Sequence, residues 1–358
     1  MDGRLPLLLD VVRRYPARAA SVQAIFARRN VTSALDAEDI IKSFAPIIEL
    51  SSNLLILTFE GLHPYPMANA VRREAENYLL QTLPSSLLYL YVHLETQTLS
   101  EILSAIGRIP DLRSMKFTSF NERYTFVGDD DESCAAVSHA CLPSLVALSL
   151  YTPSPNMARA MIGWQMPNLS DFALDFDDDF DNDILVSLFA HIGPQLRSLD
   201  LLSGTCPDRP LSFIDILKSC TSLETFKFDV ERLEDWIPVV PVGLFKSLKH
   251  LHLWADSFFF VRCPKIYHEK PSQNCERNLG HITRDNFPQL QSVRFRNGLW
   301  HFKTDGGLAA VVKESSEGFL ALVNRCIRDG IHLEDDFGNP LLSPETIENW
   351  RGENPLEN

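Results

Sequence analysis

Four residues with metal-binding side chains lie in one stretch of the chain: Cys263, His268, Cys275 and His281. Their spacing, C-x4-H-x6-C-x5-H, differs from that of zinc modules, in which the ligands come in closely spaced pairs. We therefore interpret the stretch as a long loop and expect no metal and no cofactor.

An acidic run offers a second candidate for cation binding, and it contains Asp175, Asp177, Asp178, Asp179, Asp181 and Asp183. An EF-hand loop starting at Asp177 requires a glycine and a glutamate at the positions where this chain has Asn182 and Leu188. The run is more typical of a solvated loop before a helix, with Asp183 as the helix cap.

Catalytic motifs are missing from the sequence. It contains no P-loop, dinucleotide fingerprint, G-x-S-x-G elbow, H-E-x-x-H helix or paired Cys-His chemistry. We expect a protein that is not an enzyme.

The composition limits the partners. The 358 residues carry a net charge of -14, which opposes binding to nucleic acid or to anionic lipid and favours a neutral or basic protein. No run of 18 apolar residues is present, and no cleavage pattern follows Leu5 to Leu9. We expect an intracellular protein, cytoplasmic or nuclear, whose seven scattered cysteines are reduced thiols.

The clearest pattern is the phrase Leu-x-x-Φ-x-Φ, in which Φ is apolar. It occurs nine times, at Leu54/Leu57/Phe59, Leu87/Leu90/Val92, Leu112/Met115/Phe117, Leu145/Leu148/Leu150, Leu169/Phe172/Leu174, Leu196/Leu199/Leu201, Leu223/Phe226/Phe228, Leu248/Leu251/Leu253 and Leu290/Val293/Phe295. The first leucines are 33, 25, 33, 24, 27, 27, 25 and 42 residues apart. Most of these intervals lie in or near the range of leucine-rich repeats.

The two Φ positions have the period of a strand with one face buried. Between the phrases lie segments with helical spacing, at Leu99/Ile102/Leu103/Ile106, Ile184/Leu185/Leu188/Phe189/Ile192 and Leu211/Ile214/Leu217. The sequence therefore predicts an α/β leucine-rich-repeat solenoid, or horseshoe, with about nine parallel strands on the concave face and helices on the convex face.

Stacked repeats need caps at both ends. We predict a helical N-terminal cap at 1–45, a repeat domain at 46–304 with a long insertion at about 255–286, a capping helix at 305–332 and an acidic tail at 333–358.

Residues two, four and six positions after each first leucine should project from the exposed face of the strands. The predicted partner-binding residues are Tyr89, Tyr91, His93, Tyr151, Asp171, Asp175, Asp200, Asp229, His250, His252, Trp254, Arg294 and Arg296. Along the chain they change from aromatic through acidic to basic. Such a surface either selects a partner by charge complementarity or is polar only because it faces solvent.

The phrases, several of which begin Pro-x-Leu, and the lead-in LPLLLDVVRRYPARAASV resemble the leucine-rich-repeat portion of fungal, basidiomycete-type F-box-like proteins over about residues 4–300. The resemblance implies a substrate-recognition subunit of a ubiquitin ligase. Only the opening of the F-box has a counterpart here, in Leu5-Pro6, Leu8, Leu9 and Val12. We expect the F-box itself to be absent, so that the ligase adaptor binds only if an F-box lies upstream.

The predicted function is protein binding. The alternative to a ligase subunit is a stand-alone scaffold or inhibitor that occupies the surface of its partner.

Overall fold

A computed structural model gives the fold, and it describes residues 4–28, 44–60, 69–93, 99–118, 139–151, 153, 155–176, 182–203, 213–229, 245–254, 279–296, 317–335 and 337–341. Eleven strands among these residues form an all-parallel sheet in chain order. The predicted α/β class is therefore confirmed. The chain divides into two compact units, Met1–Ile192 and Gly193–Asn358, which are described separately.

In the first unit, six strands are interspersed with helices. The elements in chain order are α1 (Arg4–Arg14), α2 (Pro16–Ala19), β1 (Ala24–Arg28), β2 (Ile56–Glu60), α3 (Asn69–Thr82), β3 (Tyr89–His93), α4 (Leu99–Ile106), β4 (Ser114–Thr118), β5 (Ala147–Tyr151), α5 (Pro155–Met161), β6 (Asp171–Phe176) and α6 (Asn182–Ile192). Residues 44–50 are also helical.

The second unit begins with a 3-10 turn at Gly193–Gln195 and contains five strands. Its elements are β7 (Ser198–Ser203), α7 (Phe213–Ser219), β8 (Thr225–Asp229), β9 (His250–Trp254), β10 (Ser292–Arg296), α8 (Glu317–Asp329) and β11 (His332–Glu334).

Every leucine and every Φ residue of the nine phrases is buried. In β5, Leu148 and Leu150 are buried while Ala147, Ser149 and Tyr151 are partly exposed, which is the alternation that the phrase predicts. Burial of one such side chain contributes about 1.5 to 3 kcal/mol, and this gain holds each strand in its register. The nine predicted strands are confirmed as β2 to β10.

Two further strands lie outside the nine phrases. In β1, Ile25 is opposite Leu57 of β2, and in β11, Leu333 is opposite Val293 of β10. Counting back three positions puts Val22 and Gly330 where the phrase has its first leucine. Gly330 has a φ of 67°, a conformation that suits glycine after the end of helix α8. A pattern that requires leucine therefore misses both strands.

Hydrogen bonds to backbone carbonyls connect each described repeat to the next. The carbonyl of Leu55 accepts hydrogen bonds from the backbone N–H groups of Leu88 and Tyr89, at 2.9 and 3.0 Å. The same double acceptance recurs at later repeats. Side chains complete individual turns, as where the Ser86 hydroxyl donates to the Leu54 carbonyl at 2.7 Å.

The ends of the array mix helix and strand. The predicted N-terminal cap contains α1, α2 and β1, and Val12 and Ala19 pack with Ile47 in a small core. Near the C-terminus, α8 lies within the predicted capping helix, and β11 falls where the acidic tail was predicted to begin. Most of the predicted insertion (255–278) and most of the tail (342–358) lie outside the described residues.

Candidate functional site

The exposed face of each unit presents its side chains in rows, because the strands pair in parallel register. The central row is the set of residues that follow the first position of each phrase by four. In the first unit it reads Phe26, Thr58, Tyr91, Lys116, Ser149 and Ala173. In the second unit it reads Asp200, Lys227, His252, Arg294 and Glu334. The two rows have different chemistry: the first contains two aromatic residues and one charged residue among six, whereas four of the five residues in the second are acidic, lysine or arginine.

In the first unit, a tyrosine-lysine cluster forms on three neighbouring strands. The Lys116 ammonium on β4 lies 4.2 Å from the ring centre of Tyr91 on β3 and 4.7 Å from that of Tyr151 on β5. An ammonium over an aromatic face is attracted by the negative face of the ring. The lysine therefore holds the two tyrosines in a defined arrangement.

The other predicted residues of the first unit lie on the same strands or on β6. Tyr89 on β3 is 45% exposed. Asp171 accepts a hydrogen bond from the Ser170 hydroxyl at 2.6 Å, and Asp175 is opposite Tyr151 in the strand register. The backbone of His93 ends β3, and its side chain is outside the described set.

In the second unit, ion pairs link the charged row. The Asp200 carboxylate lies 3.7 Å from the Lys227 ammonium and 3.6 Å from the Arg296 guanidinium. The Arg294 guanidinium donates to Glu334 at 2.7 Å. Burial raises the pKa of Asp200 above its usual value, and the nearby cations Lys227 and Arg296 only partly oppose this shift.

His252 lies at the centre of this row and is 8% exposed. Burial, followed by the positive charges of Arg294, Lys227 and Arg296, lowers the pKa of His252 to about 3. This histidine is therefore neutral at physiological pH. The predicted basic character of this end of the surface comes from its arginines.

Two other residues of β9 complete this part of the face. The guanidinium of Arg296 lies 5.2 Å from the ring centre of Trp254. His250 Nδ1 is 3.0 Å from the Ser292 hydroxyl. The backbone of Asp229 ends β8, while its side chain is not among those described.

The predicted residues whose side chains are described thus fall into two groups, one in each unit. Three partners were missing from the prediction: Lys116, Lys227 and Glu334. Both lysines lie four residues after the first leucine of a phrase, Lys116 after Leu112 and Lys227 after Leu223, so the rule for exposed positions selects them when it is applied to every phrase. Glu334 could not be found in this way, because its repeat has a glycine in the first position.

The described residues contain no cluster of His, Cys, Asp or Glu that could hold a metal ion. Of the four metal-capable residues in the long insertion, Cys263, His268 and Cys275 lie outside the part that the structure covers. Burial raises the pKa of the Cys220 and Cys326 thiols to about 12, so neither is a reactive thiolate.

The repeats, the parallel sheet and the exposed strand face define an α/β protein with leucine-rich repeats. No protein-family model matches the chain, and no curated protein matches its sequence. Within the described ranges, no helix has both the length and the apolar character needed to cross a membrane.

Among solved structures, the chain is similar to a protein of Bacteroides fragilis, with 15% identity and a TM-score of 0.37 over 69% of this chain and 63% of that one. It is also similar to a chain in the crystal structure of the Rad7 and Elc1 complex in yeast, with 14% identity and a TM-score of 0.39 over 71% of this chain and 66% of that one. In both comparisons it spans less than two thirds of the other chain.

Proposed function

We propose that the protein is a binding module, not an enzyme, and that the exposed strand face of its first unit docks a partner protein. The observation that carries this proposal is the aromatic character of that face. Phe26 is 70% exposed and Tyr89 is 45% exposed, and both lie on the face that also presents the tyrosine-lysine cluster. Grouped exposed aromatic side chains are typical of protein interfaces and supply much of their binding energy.

The partner that we propose is a neutral or basic protein, and neither nucleic acid nor membrane. Because the chain carries a net charge of -14, it would repel a strongly acidic partner at long range. The Lys116 ammonium on this face is already held by two tyrosine rings. The tyrosine-lysine cluster therefore offers aromatic contact, and Asp171 and Asp175 on the same face favour a neutral or basic partner over an acidic one.

A narrower version of the proposal is a substrate-recognition subunit related to the F-box proteins of ubiquitin ligases. Its support is the resemblance in the repeat phrases and in the lead-in that forms α1 and α2. The alternative is a stand-alone scaffold or inhibitor. Pull-down of the full chain with the ligase adaptor separates the two, since only a ligase subunit with a docking element retains the adaptor.

The test of the binding face is a double variant, Phe26→Ser with Tyr89→Ser. Partners of the wild-type chain are identified by affinity purification and quantitative mass spectrometry, and the variant is then compared with it. Removal of two interface anchors of about 1 kcal/mol or more each should weaken binding of a direct partner at least about thirtyfold and reduce its recovery accordingly.

The matched control is Tyr15→Ser with Phe337→Ser, which makes the same two changes at exposed residues that belong to no strand of the first unit. The control should retain the partner at the wild-type level. Equal loss in both double variants, or full recovery with the Phe26/Tyr89 variant, would show that the first-unit face is not the docking site.

A further inference from the structure

Three buried polar atoms of the second unit lack a hydrogen-bond partner among the described residues: Asp200 Oδ1, His252 Nδ1 and Trp254 Nε1. They belong to one neighbourhood, because Arg296 contacts both Asp200 and the Trp254 ring, and His252 lies in the same row as Asp200. Buried polar atoms are nearly always hydrogen-bonded, since leaving one unpaired is costly. Three together therefore indicate a site for a polar group.

We propose that this polar cluster, made of Asp200, Lys227, His252, Trp254 and Arg296, binds the carboxamide side chain of a glutamine or asparagine from the partner protein. Asp200 Oδ1 can only accept a hydrogen bond when ionised, and Trp254 Nε1 can only donate one. A carboxamide supplies both the donor and the acceptor in one small planar group. The neutral His252 ring adds a nitrogen that accepts or donates according to its tautomer.

The charges of the cluster favour a neutral group. Arg294 is already paired with Glu334, and Asp200 is paired with Lys227 and Arg296. A carboxylate entering the site would meet the Asp200 carboxylate, and an ammonium would meet Lys227 and both arginines. A carboxamide avoids both repulsions.

A partner side chain reaches Asp200 only if the two cations that contact it, Lys227 and Arg296, move. The side chains of Lys227 and Arg296 are 24% and 30% exposed. Their contacts with Asp200, at 3.7 and 3.6 Å, are longer than a hydrogen bond, and partly exposed ion pairs of this kind are weak. Rotation of these flexible chains would open the cluster to a side-chain tip.

The site is tested in the full chain by NMR of the Trp254 indole N–H, which is assigned by its loss in Trp254→Phe. The probes are the N-acetyl methylamides of glutamine, glutamate and lysine, which share one backbone and differ in the side chain. The glutamine probe should shift this resonance saturably. The glutamate and lysine probes should bind at least about tenfold more weakly, because each brings an unmatched charge.

Asp200→Asn is the decisive variant, because it keeps the size of the side chain while it removes the charge and one acceptor oxygen. It should abolish the preference for glutamine over glutamate. Asp171→Asn makes the same change in the first unit and should leave the preference intact.

Absence of any shift with the glutamine probe, equal shifts with glutamine and glutamate, or an unchanged preference in Asp200→Asn would overturn the proposal. The inference rests on the proposed binding function. Its failure is nevertheless distinguishable from failure of the proposed function, since the NMR experiment needs no natural partner and the Phe26/Tyr89 variant changes only the first unit.

Discussion

Replacement of Phe172 by alanine is expected to reduce the free energy of unfolding by about 3 to 5 kcal/mol, the usual cost of truncating a buried aromatic residue. Phe172 occupies the second position of a leucine phrase in β6 and is 2% exposed. Its ring packs edge-on against Phe189 of α6, with the ring centres 5.8 Å apart. The truncation would leave a cavity between strand and helix, where close-packed neighbours relax only in part.

The matched control is Phe26→Ala, the same chemical change on the opposite face of the sheet. Because Phe26 is 70% exposed, its loss should change stability by no more than about 0.5 kcal/mol. Urea denaturation of both variants, followed by far-ultraviolet circular dichroism, provides the comparison. Similar losses in the two variants would contradict the assignment of inner and outer faces.

The contrast between these two phenylalanines shows what the sequence alone could predict about the fold. Phe172 belongs to a phrase whose period identifies its strand and its buried face, and the same holds for every phrase that begins with leucine. Phe26 lies in β1, whose repeat has Val22 where the phrase requires a leucine. The search for leucine phrases therefore did not find this strand. Its place on the exposed face depends on pairing with β2, a long-range contact that local periodicity does not contain.

The candidate site was predictable to the extent that it follows from strand alternation. That rule selected Tyr91, Tyr151 and Asp200. It also selects Lys116, which was left out of the predicted residues because a lysine did not fit the change from aromatic through acidic to basic residues along the chain. It could not predict the contact of Arg296 with Asp200, because these residues are three strands apart and meet only through a long side chain. Nor could it predict that His252 is buried beneath charged neighbours, which changes its ionisation.

His252 should make the stability of the protein depend on pH in a defined window. In the unfolded chain its pKa is about 6.5, whereas in the folded protein burial and the nearby cations lower it to about 3. Between these two values the unfolded state binds a proton that the folded state does not. The contribution of His252 to stability is therefore fully present above pH 6.5, falls as the pH is lowered through the window and levels off below about 3.

The expected loss of stability depends on the pKa of His252 in the unfolded chain, because in the folded protein this histidine stays neutral down to pH 5. Lowering the pH from 7 to 5 should cost the wild-type protein about 2 kcal/mol more than the variant His252→Gln, in which this titration is absent. Urea denaturation of the full chain at both pH values measures the difference, and all other titrating groups are shared. His332→Gln, the same change at an exposed position of β11, should keep the wild-type dependence. Parallel stability curves for the wild type and His252→Gln would mean that His252 takes up its proton in the folded protein, and that it is not held neutral within the charged row.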